Sequence, residues 1–196
     1  SAAYSLPKPL PARAAIPICF QQVKPHFMFN NLNILNSLVI ENKNQEASSF
    51  IYKLAYLYRY MIENEEESLV TIREELDFVN EYTDLMKVRF GSSFDVVNEI
   101  DEEILPNFVV PCSIQLLIEN AIKHNGGTTQ TPLNIRMYNT ATHIVIWNNR
   151  LKKNTCEPTT HIGLNYIQKL YSDLSPKELM VESTEEEFVV KLPIIR

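Results

Sequence analysis

Apolar residues return every three or four positions through the first third of the chain, a rhythm that predicts helices. Val23, Phe27, Ile34 and Leu38 stack on one helical face, and Phe29, Leu32, Leu35 and Val39 cover much of the rest. A narrow polar stripe of Gln22, His26, Asn30, Asn33 and Ser37 runs between them. A helix apolar nearly all round belongs in a bundle or dimer core, so the stripe is expected to face water or a second domain. Pro25 removes a backbone donor and crowds the preceding turn, which predicts a kink or loosening just before His26. The polar run Glu41 to Glu46, with Asn42 and Asn44, predicts a turn, and Phe50, Leu54, Leu57 and Met61 then predict a second helix with an apolar seam. A lone hairpin buries little, so dimerisation into a four-helix bundle is the economical way to cover both seams. The acidic run Glu63 to Glu67 reads as a solvated helix end and loop, with no metal in it.

Thr71-Ile72-Arg73-Glu74 fits a capping box and predicts a third helix, whose face of Ile72, Leu76, Val79, Tyr82 and Met86 continues until Gly91 stops it. Arg89 sits in its last turn, where the helix dipole accounts for it. Beyond Ser93 the pattern shortens to β-type runs: Phe94 to Ile100, Leu133 to Tyr138, His143 to Asn148, Leu179 to Glu182 and Glu187 to Leu192. Helices are expected among them at Cys112 to His124 and Gly163 to Tyr171. That order predicts an α+β fold in two domains, the second a sandwich with helices on one face of a mixed sheet and a boundary near Phe90.

Composition narrows the possibilities. In 196 residues the net charge is -6, against the basic patch of a general nucleic-acid binder, so no direct nucleic-acid partner is expected. No apolar run is long enough to span a membrane. The first stretch, residues 1–16, is rich in Pro and small residues and reads as a linker or truncated junction without the apolar core of a signal peptide. Cys19, Cys112 and Cys156 are odd in number and widely spaced, which predicts a reducing compartment and neither a disulfide framework nor a zinc site. The cytoplasm is the expected location.

Pro25-His26-Phe27-Met28-Phe29-Asn30, followed by Leu32-Asn33, resembles the phosphoacceptor box of the LytS-like sensor histidine kinases, with Lys24 where that pattern usually has Asn. The resemblance implies that His26 accepts the γ-phosphoryl group of ATP, and Asn30, one turn on, could orient the imidazole. It also implies an upstream sensor region with membrane helices, so that this chain is the cytoplasmic end of an inner-membrane protein and meets the membrane only through the absent N-terminal part.

In the second domain, Glu119-Asn120-Ala121-Ile122-Lys123-His124 closes a helix with apolar positions Ile114, Leu117, Ile118 and Ala121. Asn120 and His124, four apart, share a face. An amide oxygen is a hard ligand suited to Mg²⁺, and Lys123 or His124 could add donors for phosphates. The segment resembles the N box of the GHKL ATPases. By that resemblance Asn120 holds the metal, Glu119 supports it or orients a reacting group, and His124 meets the triphosphate. GHKL proteins usually follow the middle strand with Asp-x-Gly-x-Gly; here Trp147 runs into Asn148-Asn149-Arg150-Leu151, so Asn148 or Asn149 is the candidate for the adenine contact. The second glycine box reads His161-Ile162-Gly163-Leu164, keeping one glycine, with Asn165 next at the helix start. Residues 151–160, with Lys152 and Lys153, stand where an ATP lid would.

These residues predict a dimerisation and phosphoacceptor region, residues 17–90, followed by a GHKL-type ATP-binding domain, residues 91–196. The expected function is the catalytic core of a two-component sensor histidine kinase. It would phosphorylate His26 from Mg²⁺-ATP and pass the group to an aspartate in the receiver domain of a response regulator. Expected partners are a second copy of the chain and that regulator. The alternative is a non-catalytic pseudokinase or dimeric docking module with a weak or lost ATP site.

Overall fold

The computed structural model describes residues 25–64, 67–152 and 162–196, without the side chains of residues 25–27 and 162. Helix α1 (Pro25–Ile40) has proline at its first described position. The loosened turn expected ahead of His26 falls on residues 21–24, outside the described residues. Asn42 takes φ of 58°, a left-handed turn that a short amide side chain tolerates, and leads into α2 (Asn44–Glu63). Leu38 on α1 and Ala47, Phe50, Leu57, Tyr60 and Met61 on α2 are buried, with Ile34, Leu35 and Leu54 packed against them.

Strand β1 (Val70–Thr71) delivers the chain to α3 (Ile72–Phe90). The capping box forms: Thr71 Oγ1 accepts from the Glu74 N–H at 3.2 Å, and Glu74 Oε2 accepts from the Thr71 N–H at 2.8 Å. Hydrogen bonds from the Thr71 side chain and backbone hold the Glu74 carboxyl below its ordinary range. Gly91 ends α3 at φ 57°.

Five strands follow, each within a residue or so of its expected bounds: β2 (Phe94–Glu99), β4 (Leu133–Asn139), β5 (His143–Asn149), β6 (Met180–Ser183) and β7 (Glu187–Pro193). They form one sheet in the order β2-β4-β5-β7-β6, parallel at β2-β4 and antiparallel elsewhere. Leu133, Ile135 and Met137 of β4 are buried while Asn134 and Arg136 are exposed, so the alternation sets one covered face and one wet face. Helices α4 (Ser113–His124) and α5 (Ile162–Leu174) complete an α+β fold with a mixed sheet, as expected of a GHKL-type domain.

A ribbon that local pattern did not reveal joins the two halves. Strand β3 (Phe108–Val109) pairs antiparallel with β1, Phe108 also bridges Ile195 near the C-terminus, and the Ile72 N–H bonds the Asn107 carbonyl at 2.8 Å. The buried face of α3 packs on α4, so one apolar core runs across the position near Phe90.

At that junction Glu75 is completely buried. Its carboxylate accepts from the Tyr60 hydroxyl of α2 at 2.8 Å, from the Cys112 N–H at 2.8 Å and from the Ile114 N–H at 3.0 Å. The Tyr60 ring stacks on Phe78 of α3, centroids 4.2 Å apart. Cys112 precedes α4 at φ 58° and supplies no side-chain cap, so Glu75 satisfies the orphan amides of that helix start. The expectation of unpaired cysteines is corrected here: Cys112 is disulfide-bonded, while Cys19 and Cys156 lie outside the described residues. Spacing along the chain does not report which sulfurs meet in space.

Two outcomes follow from this packing. A Cβ on Gly127 would overlap the Ser93 carbonyl oxygen and press on the Leu133 backbone, so Gly127→Ala should destabilise the fold by about 1–3 kcal/mol in denaturant unfolding. Burial pushes the Glu75 carboxyl up to about 7, opposed by its hydrogen bonds from Tyr60 and the Cys112, Ile114 and Gln115 amides. A raised carboxyl holds its proton more tightly in the folded state, so its contribution is fully present below the ordinary carboxyl value and is lost as pH rises through 7. Between about pH 5 and pH 8 the native chain should lose roughly 2 kcal/mol of unfolding free energy relative to Glu75→Gln.

Candidate functional site

Helix α4 is amphipathic, burying Ile114, Leu117, Ile118 and Ala121 and leaving its last two turns half-buried. Asn120 and His124, one turn apart, open onto a cleft of about 190 Å³. Its other lining residues are Leu117, Ala121 and Asn125 around α4, Asn148 and Arg150 at the end of β5, Leu164 of α5, and Ser183 and Phe188 of the β6–β7 hairpin. Among the described residues no carboxylate lines it, whereas Arg150 and His124 do, so this wall of the cleft suits an anionic ligand with an apolar part.

Sheet register separates the two asparagines left open by the sequence. Asn148 pairs between Ile135 and Phe188, in step with Ile144 and Ile146 on the covered face, and is buried in the cleft. Asn149 is in step with Val145 and Trp147, and its Oδ1 accepts from the Asn134 N–H at 2.7 Å, away from the cleft. Asn148 Nδ2 donates to the Asn149 carbonyl at 2.8 Å.

The other expected residues divide. Glu119 accepts from Gln115 Nε2 at 2.8 Å and, like Lys123, is not among the cleft-lining residues. Its charge raises the buried Tyr82 hydroxyl on α3, after the larger effect of burial, which places Glu119 on the α3 side of the helix. Leu164 lines the cleft; Gly163 and Asn165 do not. A Cβ on Gly163 would lie 2.9 Å from a Leu116 methyl, so its small size serves the approach of α5 to α4. His161 and Lys153 fall outside the described residues, as does the side chain of His26, and Lys152 is exposed. Asn30 is half-buried on α1.

Asn125 and Arg150 were not anticipated. Asn125 follows α4, donates Nδ2 to the Ala121 carbonyl at 2.8 Å and accepts from the Leu151 N–H at 2.8 Å, tying the helix end to the start of the lid-position segment. A polar amide just past a helix is a C-cap signal that could have found it. Arg150 donates Nη1 to the Thr184 carbonyl at 2.6 Å and to Ser183 Oγ at 3.2 Å, bracing the hairpin that forms one cleft wall. Ser183 and Phe188 carry no local signal, because only sheet pairing brings them there.

Residues 16–94 match the family described as histidine kinase. Over 103 residues the sequence is 33% identical to the sensor histidine kinase/phosphatase LytS of Staphylococcus aureus, a match covering 53% of this chain and 18% of LytS. Over the matched segment the chain is similar to histidine kinases of the LytS type. It thus spans under a fifth of the length of the curated relatives it matches. Among solved structures, the catalytic domain of histidine kinase ThkA is 17% identical with a TM-score of 0.45, covering 64% of this chain and 94% of that one. Histidine kinase ThkA in complex with response regulator protein TrrA is 17% identical with a TM-score of 0.41, covering 92% and 63%. Among the described residues no group of three or more His, Cys, Asp or Glu side chains could hold a metal, and no helix is long and apolar enough to cross a membrane.

Asn125→Ala should release the Leu151 amide. Hydrogen exchange at Leu151 is expected to quicken about fivefold or more, while exchange in the β5 interior stays unchanged.

Proposed function

We propose that this chain is the cytoplasmic catalytic core of a two-component sensor histidine kinase, autophosphorylating His26 from Mg²⁺-ATP and passing the group to an aspartate of a response regulator. The observation that carries the reading is the cleft into which Asn120 and His124 of the N-box helix both open, lined by no carboxylate among the described residues, in a chain that also bears the His26 box. Division into a phosphoacceptor region, residues 17–90, and an ATP-binding domain, residues 91–196, belongs to the same proposal.

The residues fit the nucleotide and its metal. Asn120 offers a hard amide oxygen to Mg²⁺, with phosphate oxygens and water as the remaining ligands, a common arrangement for this ion. Bound Mg²⁺ would neutralise charge building on the phosphates. With Nδ2 of Asn148 engaged, its Oδ1 is the atom left to accept from the adenine amino group, and Leu117, Leu164 and Phe188 supply apolar wall for the base. His124 and Arg150 supply cationic or donor groups at the cleft margin. Glu119, which faces the α3 side, would act on the metal only through Asn120's helix. Phosphoryl transfer draws chiefly on positioning and charge neutralisation, so a set without a strong base is sufficient.

Dimerisation is supported by the hairpin surface. Phe29, Leu32, Val39 and Ile40 on α1 and Ile51, Tyr52 and Ile62 on α2 are exposed, more apolar surface than a monomeric hairpin would leave in water. A second copy, completing a four-helix bundle, covers it. The response regulator and the membrane connection through an upstream part follow from the family reading.

A pseudokinase remains the second reading, favoured by one observation: the neutral Asn148 stands where GHKL proteins carry Asp. Incubation with γ-labelled ATP and Mg²⁺ separates the two. Acid-labile, base-stable label is expected on the native chain, absent from His26→Gln and reduced at least tenfold in Asn120→Asp. ATP binding without any label would leave only the docking module.

A further inference from the structure

Glu75 lies outside the cleft yet holds the start of the helix that builds it. Its Oε2 accepts from the Tyr60 hydroxyl and the Cys112 N–H, both at 2.8 Å, its Oε1 accepts from the Ile114 N–H at 3.0 Å, and the Gln115 N–H donates as well. Three of these donors are backbone amides at the N-terminus of α4, which has no side-chain cap of its own. The fourth comes from α2, the helix paired with the one that carries His26. Asn120 and His124 lie about two and three turns further along the same rigid helix. A second anchor meets the first: the Tyr171 hydroxyl of α5 accepts from the Val110 N–H at 3.3 Å and lies 3.3 Å from Ser113 Oγ. Thus α4 and α5, which both wall the cleft, are fixed at one buried point, and Tyr60 is the hairpin's hold on it.

We infer that Glu75 is a positioning residue for the kinase reaction: through Tyr60 it couples the placement of α4, and so of Asn120, to the helical hairpin. The inference rests on the kinase reading above. Any displacement of α2 along its axis must either drag the start of α4 with it or strip a donor from a buried carboxylate. The second course is expensive, since the lost partner is not replaced by water. A signal arriving in the hairpin is therefore felt in the placement of Asn120.

Tyr60→Phe is the decisive variant, because it removes one hydroxyl and leaves Glu75 capping α4. Label on His26 is measured against ATP concentration in the full chain, at a temperature where circular dichroism shows both proteins folded. The expected result is a rate at saturating ATP lowered about fivefold or more with KM for ATP little changed. Glu75→Gln should lose a similar factor, and the double variant should lose no more than the larger single loss, as two ends of one link require. A Tyr60→Phe protein that labels at the native rate, or whose loss merely follows its unfolded fraction, would make Glu75 a structural group only and leave the kinase reading standing. A native chain that acquires no label overturns both.

Discussion

The carboxylate of Glu75 is the constraint on which the arrangement depends. An ionised carboxylate taken from water costs several kcal/mol unless hydrogen bonds replace its hydration. Here the replacements come from three segments at once: the side chain of Tyr60, the backbone before α4 and the first turn of α4. None can move alone without stranding a buried charge or a buried amide. The helix start in turn gains carboxyl oxygens as acceptors for N–H groups that have no partner within the helix. Hairpin, α3 and α4 are therefore held as one packed unit, and the β1–β3 ribbon reinforces the same joint.

Peripheral contacts add less. Lys53 of α2 reaches Glu81 at 2.9 Å and Asp84 at 2.7 Å on α3, but such partly exposed ion pairs contribute little stability individually. They help align α2 beside α3; the buried carboxylate determines the axial position. The apolar packing around it supplies most of the driving force, through Phe50, Leu57, Phe78, Leu85 and Ile114.

The candidate cleft is a product of convergence. Helix α4 provides Asn120 and His124, the β5 edge provides Asn148 and Arg150, and a hairpin some thirty-five residues further along provides Ser183 and Phe188. Its chemical character, cationic and amide groups at the margin with apolar walls behind, comes from side chains on four elements that share only the sheet and α4 as a frame. Asn125 and Arg150 brace two sides of that frame through backbone carbonyls and amides, so the opening is shaped by residues that need not touch a ligand.

The chain by itself determined the main helices and the strands of the five-stranded sheet, the capping box at Thr71, the turn near Asn42, the inward face of β4 and both motif-bearing segments. Each of these is written in residues within about four positions of one another, where backbone propensity and side-chain periodicity act. Tertiary structure alone decided between Asn148 and Asn149. The run from His143 to Trp147 is apolar on both faces, so only pairing with β4 and β7 sets which asparagine turns inward. It alone also turned Glu119 toward α3, brought Cys112 into a disulfide, and buried Glu75 against Tyr60, Cys112 and Ile114, partners 15, 37 and 39 positions away. Local sequence marks a glutamate in the first turn of a helix as an ordinary exposed residue. The partners that make this one buried are chosen by how the helices pack, a choice no local pattern records.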